Sequence, residues 1–195
     1  MTKDDLRKLA RQTRRNFVAE RGSSRFPLDS MGVASLLALL PESACVAGYV
    51  AMKNEADPAE LLQYLSDRGA ALALPWIGGD KNRMIFRQWT PGTPLSLAAA
   101  QFQQPAASAP EAEPTVILMP LVGFDRSGNR LGQGAGYYDR ALAEKPETLR
   151  IGIAWSVQEC ASLPADPWDM PLDAVITEKE WRLFPNSRPN SRIVQ

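Results

Sequence analysis

The sequence contains no histidine. That excludes Ser-His-Asp and Cys-His catalysis and any histidine-ligated zinc site. A general acid or base must then come from Asp, Glu, Lys, Tyr or Cys, or the chemistry must rest mainly on binding and positioning. Cysteine is scarce: Cys45 and Cys160 are the only two. A disulfide framework needs more cysteines and a secreted context, so both are expected to be buried free thiols among apolar neighbours. No apolar run approaches the ~18 residues of a membrane span. The opening MTKDDLRKLARQTRR lacks the apolar core of a secretory signal, and Asp4 and Asp5 speak against a transit peptide. Net charge is also missing, since 22 basic residues balance 22 acidic ones. Bulk charge therefore favours neither nucleic acid nor a membrane surface, no aromatic RNA-binding motif is visible, and any anion site must be local. The expectation is a cytoplasmic protein, acting as a monomer on small molecules.

What is present suits one globular unit. The 195 residues suffice for one well-cored domain, while two would be a squeeze. A single domain over 1–195 is expected, with a flexible loop near 91–114, rich in Pro, Ala, Ser and Gln, and a frayed tail near 185–195. Residues 3–21 read as a helix opened by a Thr2/Asp5 capping box, with Leu6, Leu9 and Phe17 on a shared buried face. Lys3, Arg7 and Arg11 recur every four residues and form one cationic stripe, which is either a solvated face or an anion contact. A second helix is expected over Met31–Leu40 and a third after Pro58, stopped at Gly69. Strands are expected at 45–52, at 70–75 with Pro75 as terminator, and at 82–90 after a Gly-Gly-Asp turn. More are expected at 115–125, 149–155 and 173–177. Strands alternating with helices imply an α/β fold, with a mainly parallel sheet covered on both faces.

The stretch PLVGFDRSGNRLGQGAGYYDR, residues 120–140, carries the chemical signal. A buried strand runs into a loop with Gly132, Gly134 and Gly136 at alternate positions, then into a helix from Tyr137 to Glu144. Such glycines let the backbone approach a ligand, and free N–H groups before a helix make an anion cradle. Tight turns use glycine too, so the bare loop leaves phosphate binding and plain turn geometry both open. Walker A and the G-x-G-x-x-G dinucleotide fingerprint are both absent. Arg130 precedes the glycines and Asp139 follows them. A carboxylate beside a phosphate cradle either favours the helix dipole or holds a bridging magnesium ion.

The segment GFDRSGNRLGQGAGYYDRAL resembles the signature of the 5-formyltetrahydrofolate cyclo-ligase family, whose pattern is roughly PxxxFDxxGxRLGxGxGYYDRxL. KDDLRK, MKNEADPAELL, ALALP and DPWDMPLDAVIT agree with further family segments in order and spacing, and the resemblance covers about residues 3–180. It implies a three-layer α/β sandwich around a central, mainly parallel twisted sheet. It implies ATP as co-substrate, magnesium as cofactor and a reduced folate as substrate. ATP would be held by Lys3, Asp4, Asp5, Leu6 and Arg7 on the first helix. The loop residues Arg130, Leu131, Gly132, Gln133, Gly134, Ala135, Gly136, Tyr137 and Tyr138 would hold it from the other side. Lys3, Arg7, Arg130 and Tyr137 would be the catalytic set. The folate would meet Arg7, Val50, Glu55, Gln133, Gly134, Ala135, Gly136 and Tyr137. Asp139 and Asp169 would coordinate magnesium. The chain departs from some relatives at Gln133 and Ala135, where those carry Arg or Lys, and at FQQPAAS (102–108), where a Pro-Glu-Pro-like loop is usual. A non-catalytic folate- or nucleotide-binding paralogue of the same fold is the alternative, and a different ATP-dependent α/β enzyme is a third reading.

Overall fold

The computed structural model describes residues 1–28, 31–40, 43–78, 83–98 and 102–184. The chain runs α1 (Lys3–Arg21), α2 (Met31–Leu39), β1 (Cys45–Ala47), α3 (Ala59–Asp67), β2 (Ala71–Ile77) and β3 (Met84–Gln88). Next come β4 (Ser96–Leu97), β5 (Gln103–Gln104), β6 (Val116–Pro120), β7 (Gly123–Phe124), β8 (Arg130–Leu131) and α4 (Tyr137–Ala143). The last elements are β9 (Leu149–Ile153), a 3-10 turn at Ser156–Gln158, β10 (Ala174–Ile176) and β11 (Trp181–Leu183). The central sheet has seven strands in the order β11-β10-β9-β6-β1-β2-β3. The five inner strands are parallel, while β3 and β11 close the edges antiparallel.

Alternation along the strands builds the layers. Val116 and Leu118 point into a cluster with Val18 of α1, Leu36 of α2 and Leu61, Leu62 and Leu65 of α3. Ile117 and Met119 point the other way, toward Ala141 and Leu142 of α4 and Phe86 of β3. Period-2 side chains on inner strands are thus buried on both faces, as a parallel sheet requires. The result is the three-layer sandwich, with α1, α2 and α3 on one face and α4 on the other.

Several boundaries differ from the sequence expectation. β1 ends at Ala47, not Met52, because the chain leaves the sheet at Gly48, where a Cβ would lie 2.6 Å from Leu62 Cδ1. β2 runs through Pro75 to Ile77. Since β1 covers β2 only as far as Ala73, a proline beyond that register removes no hydrogen bond to β1. The strand expected over 115–125 breaks after Pro120. There Gln158 Nε2 takes the carbonyls of Leu121 (2.7 Å) and Val122 (3.1 Å), and Arg14 Nη1 reaches Leu121 O (3.3 Å). The 91–114 connection contains the β4–β5 hairpin, and its end lies along β3 through Gln88 N–Pro110 O and Ala112 N–Phe86 O, both 2.9 Å. Leu9 is 57% exposed; the buried face of α1 is Ala10, Arg14 and Val18. Cys45 and Cys160 are free, but only half-buried. Of the Gly-Gly-Asp turn, 79 and 80 lie outside the described residues, as does the tail from 185 on.

Candidate active site

A cavity of about 840 Å³ opens beyond the carboxyl ends of β1, β2 and β6. In open α/β sheets ligands bind in this place. Its wall brings together Lys3 and Arg7 from α1, Val50 and Glu55 from the turn after β1, Arg130 to Asp139, and Asp166 to Met170. Asp4, Asp5 and Leu6 do not line it. Asp5 completes the capping box with Thr2, Asp4 pairs with Arg7 (2.6 Å), and Leu6 packs against the cluster of Ala10, Val122, Leu131 and Leu163.

The loop is shaped from below by a hairpin. Asp125 is 2% exposed and ends a strand beneath the site. Its carboxylate accepts from Ser127 N (2.9 Å), Asn129 N (3.1 Å), Asn129 Nδ2 (3.0 Å) and Leu163 N (2.9 Å). Gly128 turns the hairpin at φ 83°. This fixes β8 and aims Arg130 and the glycines into the cavity. Gly134 (φ 111°) and Gly136 (φ 67°) occupy backbone conformations that disfavour a Cβ, and Gly136 is the N-cap of α4.

Cations and carboxylates interlock around the loop. Lys3 Nζ meets Asp166 Oδ2 at 2.7 Å and Asp169 Oδ2 at 2.6 Å. Burial works to lower the Lys3 pKa, but the two carboxylates outweigh it and hold the ammonium above its ordinary value. Burial works to raise Asp169, yet the Asp166 N–H and Lys3 outweigh it and hold that carboxyl below its usual range. Arg130 Nη2 pairs with Asp139 Oδ1 at 2.5 Å, and the same oxygen accepts from Met170 N at 3.2 Å. Arg130 Nε is buried and has no hydrogen-bond partner in the protein. Arg7 Nε donates to Gly132 O at 3.0 Å. The whole Lys3-Arg7-Arg11 stripe therefore faces the glycine loop and the Asp166–Asp169 turn, which settles its orientation against a solvated face.

Glu55, 2% exposed, also lines the cavity and is bonded to the glycine loop. Its Oε2 accepts from Met52 N (2.9 Å), its Oε1 accepts from Gln133 Nε2 (3.0 Å), and Arg14 Nη1 stands 3.8 Å behind. Burial raises the Tyr138 hydroxyl above its ordinary pKa, Glu55 adds to this and Arg130 opposes it. Tyr138 is thereby kept a neutral donor, unsuited to act as a base at neutral pH.

The 5-formyltetrahydrofolate cyclo-ligase family model matches residues 1–178. The chain belongs to the 5-formyltetrahydrofolate cyclo-ligase family. It is 31% identical over 144 residues to the 5-formyltetrahydrofolate cyclo-ligase of Escherichia coli K12, covering 70% of this chain and 79% of that protein. With the enzyme of the same name from Mycolicibacterium smegmatis it shares 35% over 144 residues, covering 69% and 73%. The NMR structure of Aquifex aeolicus 5,10-methenyltetrahydrofolate synthetase superposes with a TM-score of 0.75 at 33% identity, covering 99% of this chain and 98% of that one. This chain is thus an enzyme of the cyclo-ligase family, and part of the segment that carried the resemblance, Arg130 to Arg140, lines the cavity. Asp166, Arg11, Arg14 and Asp125 were not singled out as site residues from sequence. Asp166 sits three residues before Asp169 and Arg11 one turn after Arg7. Those spacings were the available signal; Asp125 belongs to the Phe-Asp of the family signature, and Arg14 gave none within its polar surroundings. Among the described residues no helix is long and apolar enough to cross a membrane.

Proposed function

We propose that the enzyme closes 5-formyltetrahydrofolate to 5,10-methenyltetrahydrofolate at the expense of ATP, releasing ADP and phosphate. One observation carries this reading. A single cavity gathers a glycine-rich cradle, three cations, Lys3, Arg7 and Arg130, and a buried carboxylate, Glu55, that Gln133 of the cradle bonds directly. The cradle and its cations suit a polyphosphate; the carboxylate suits the N–H groups of a pterin. The enzyme is expected to work as a monomer on these small molecules.

The formyl group on N5 is an amide and a poor electrophile. Its oxygen attacks the γ-phosphorus of ATP and ADP leaves, giving an iminium phosphate. N10 of the same folate attacks that carbon, phosphate departs with the former formyl oxygen, and the N10 proton is lost to solvent. Both nucleophiles belong to the substrate, which fits a chain without histidine. The protein's contribution is positioning and charge stabilisation. Lys3, Arg7 and Arg130 neutralise phosphate oxygens as charge moves. Glu55 orients the pterin and Val50 packs beside it. Tyr137, at the start of α4, faces the ligand between them.

Magnesium fits the residues present. Asp139 and Asp169 both line the cavity and offer hard oxygen donors, Asp139 beside Arg130 and Asp169 beside Lys3. Among the described residues no three potential ligands gather into a complete metal site, so phosphate oxygens would complete the shell. If held there, the ion would supply charge neutralisation for the transferred phosphate. The test is ADP release. It should require 5-formyltetrahydrofolate and match the folate consumed one to one; folate-independent ADP release would point to a different nucleotide enzyme.

A further inference from the structure

We infer that Arg11, outside the cavity wall, is a positioning residue for the folate end of the site and acts through Gln133. The inference rests on the proposed activity.

Gln133 is neutral, yet it stands between two charges. Arg11 grips it with Nη2 and Nε on Gln133 Oε1 (2.7 and 3.2 Å) and with Nη2 on the Gln133 carbonyl oxygen (3.4 Å). A guanidinium can only donate, so it turns the amide oxygen toward itself. The amide nitrogen is then forced to the far side, where it donates to Glu55 Oε1 at 3.0 Å. The glutamine therefore converts a cation on α1 into a directed hydrogen bond at the substrate carboxylate. With Met52 N on Oε2, each Glu55 oxygen has one fixed donor. The carboxylate plane is set, and the remaining lone pairs are presented as a pair. Two adjacent N–H donors of a pterin ring require that presentation. Without Arg11 the amide is free to flip or swing away, and Glu55 loses the donor that orients it.

The roles along the stripe now separate. Lys3 and Arg7 face the Asp166–Asp169 turn and the loop backbone, the phosphate end. Arg11, one turn further along α1, serves the pterin end. A direct role for Arg11 as a phosphate cation predicts the opposite substrate dependence.

The experiment is a double-mutant cycle on the full chain with Arg11→Ala, Gln133→Ala and both together. The Michaelis constants for 5-formyltetrahydrofolate and ATP are measured separately, with equilibrium binding of 5-formyltetrahydrofolate alongside. Each single variant should weaken folate binding about tenfold, the size of one charge-assisted hydrogen bond. The ATP constant of Arg11→Ala should stay within about twofold, and the double variant should bind folate no worse than either single one, because both remove the same link. Arg11→Lys should recover only part of the loss, since an ammonium lacks the fork. Multiplicative losses, or a rise in the ATP constant instead, would overturn the inference. Both residues are at the surface of the loop and α1, so loss of folding is not the expected outcome. Should the unaltered enzyme fail to turn over, the activity reading falls, and the folate-binding measurements still decide for or against Arg11.

Discussion

Replacing Glu55 by Gln removes one buried charge while keeping shape and hydrogen-bonding length. Arg14 lies behind it, 6% exposed, with Nε buried and unpartnered in the protein. Its remaining contacts are Leu121 O at 3.3 Å and the Glu55 carboxylate at 3.8 Å. Burial already pulls the Arg14 pKa below its ordinary value, with Glu55 opposing that pull. Removing one member of a fully buried pair costs about 3–5 kcal/mol, because it strands the other charge. The 3.8 Å separation is long for an ion pair, so about 2–3 kcal/mol is expected here. With a urea slope of about 1–3 kcal/mol per molar, the unfolding midpoint should fall by roughly 1 M. The discriminating variant is Arg14→Met combined with Glu55→Gln. If the cost is an unpaired charge, the double variant regains most of the lost stability while still failing to bind folate. An unfolding free energy for Glu55→Gln within about 0.5 kcal/mol of the parent, or a double variant less stable than both singles, refutes the reasoning.

Other outcomes follow from the same geometry. Asp125→Ala strands the buried Leu163 N–H and removes the acceptor of the Ser127 and Asn129 N–H groups, and should cost about 2–3 kcal/mol in chemical denaturation, with loss of ATP binding as the loop loses its footing. Lys3→Ala should raise the ATP Michaelis constant by roughly tenfold or more and leave the folate constant nearly unchanged; an unaltered ATP constant removes α1 from the phosphate site. Asp139→Ala should abolish turnover at ordinary magnesium and leave 5-formyltetrahydrofolate binding measurable, as read by calorimetry. The Lys3–Asp169 pair sets a pH window by the directions of its shifts. Asp169 is lowered from 3.8, so its contribution is present above that value and is lost as acid titrates its depressed folded pKa. Lys3 is raised from 10.5, so its contribution is present below that value and is lost as pH rises through its elevated folded pKa. The ATP constant should therefore show no step from this pair between about pH 5 and 9, as a pH series with parent and Lys3→Ala would reveal.

The elements that were legible in sequence had long or regular patterns. α1 was visible from its cap and periodicity, and its range, Lys3–Arg21, agrees with that reading. The inner strands were visible as apolar runs, because a parallel sheet buries both faces. Their ends were not, since they depend on tertiary partners: Leu62 packing at Gly48, or Gln158 reaching the carbonyls after Pro120. β11 has three residues and borrows its register from β10, so nothing local announces it. The 91–114 segment looked like open loop by composition, yet part of its backbone is satisfied by β3. The glycine loop, Lys3, Arg7, Glu55, Asp139 and Asp169 were named together only through the family resemblance, and they do share one cavity. The links among them escaped the sequence because Arg11 to Gln133 and Lys3 to Asp166 span over a hundred residues.

The most direct test of the proposed reaction is near-ultraviolet absorbance, where 5,10-methenyltetrahydrofolate absorbs and 5-formyltetrahydrofolate does not. Purified enzyme, 5-formyltetrahydrofolate, ATP and magnesium are mixed, with ATP or magnesium omitted in turn. The expected result is a rise that needs both ATP and magnesium and is lost in Asp139→Ala. Absence of a rise while either ligand still binds would contradict it, and would mark the cavity as a binding site without turnover.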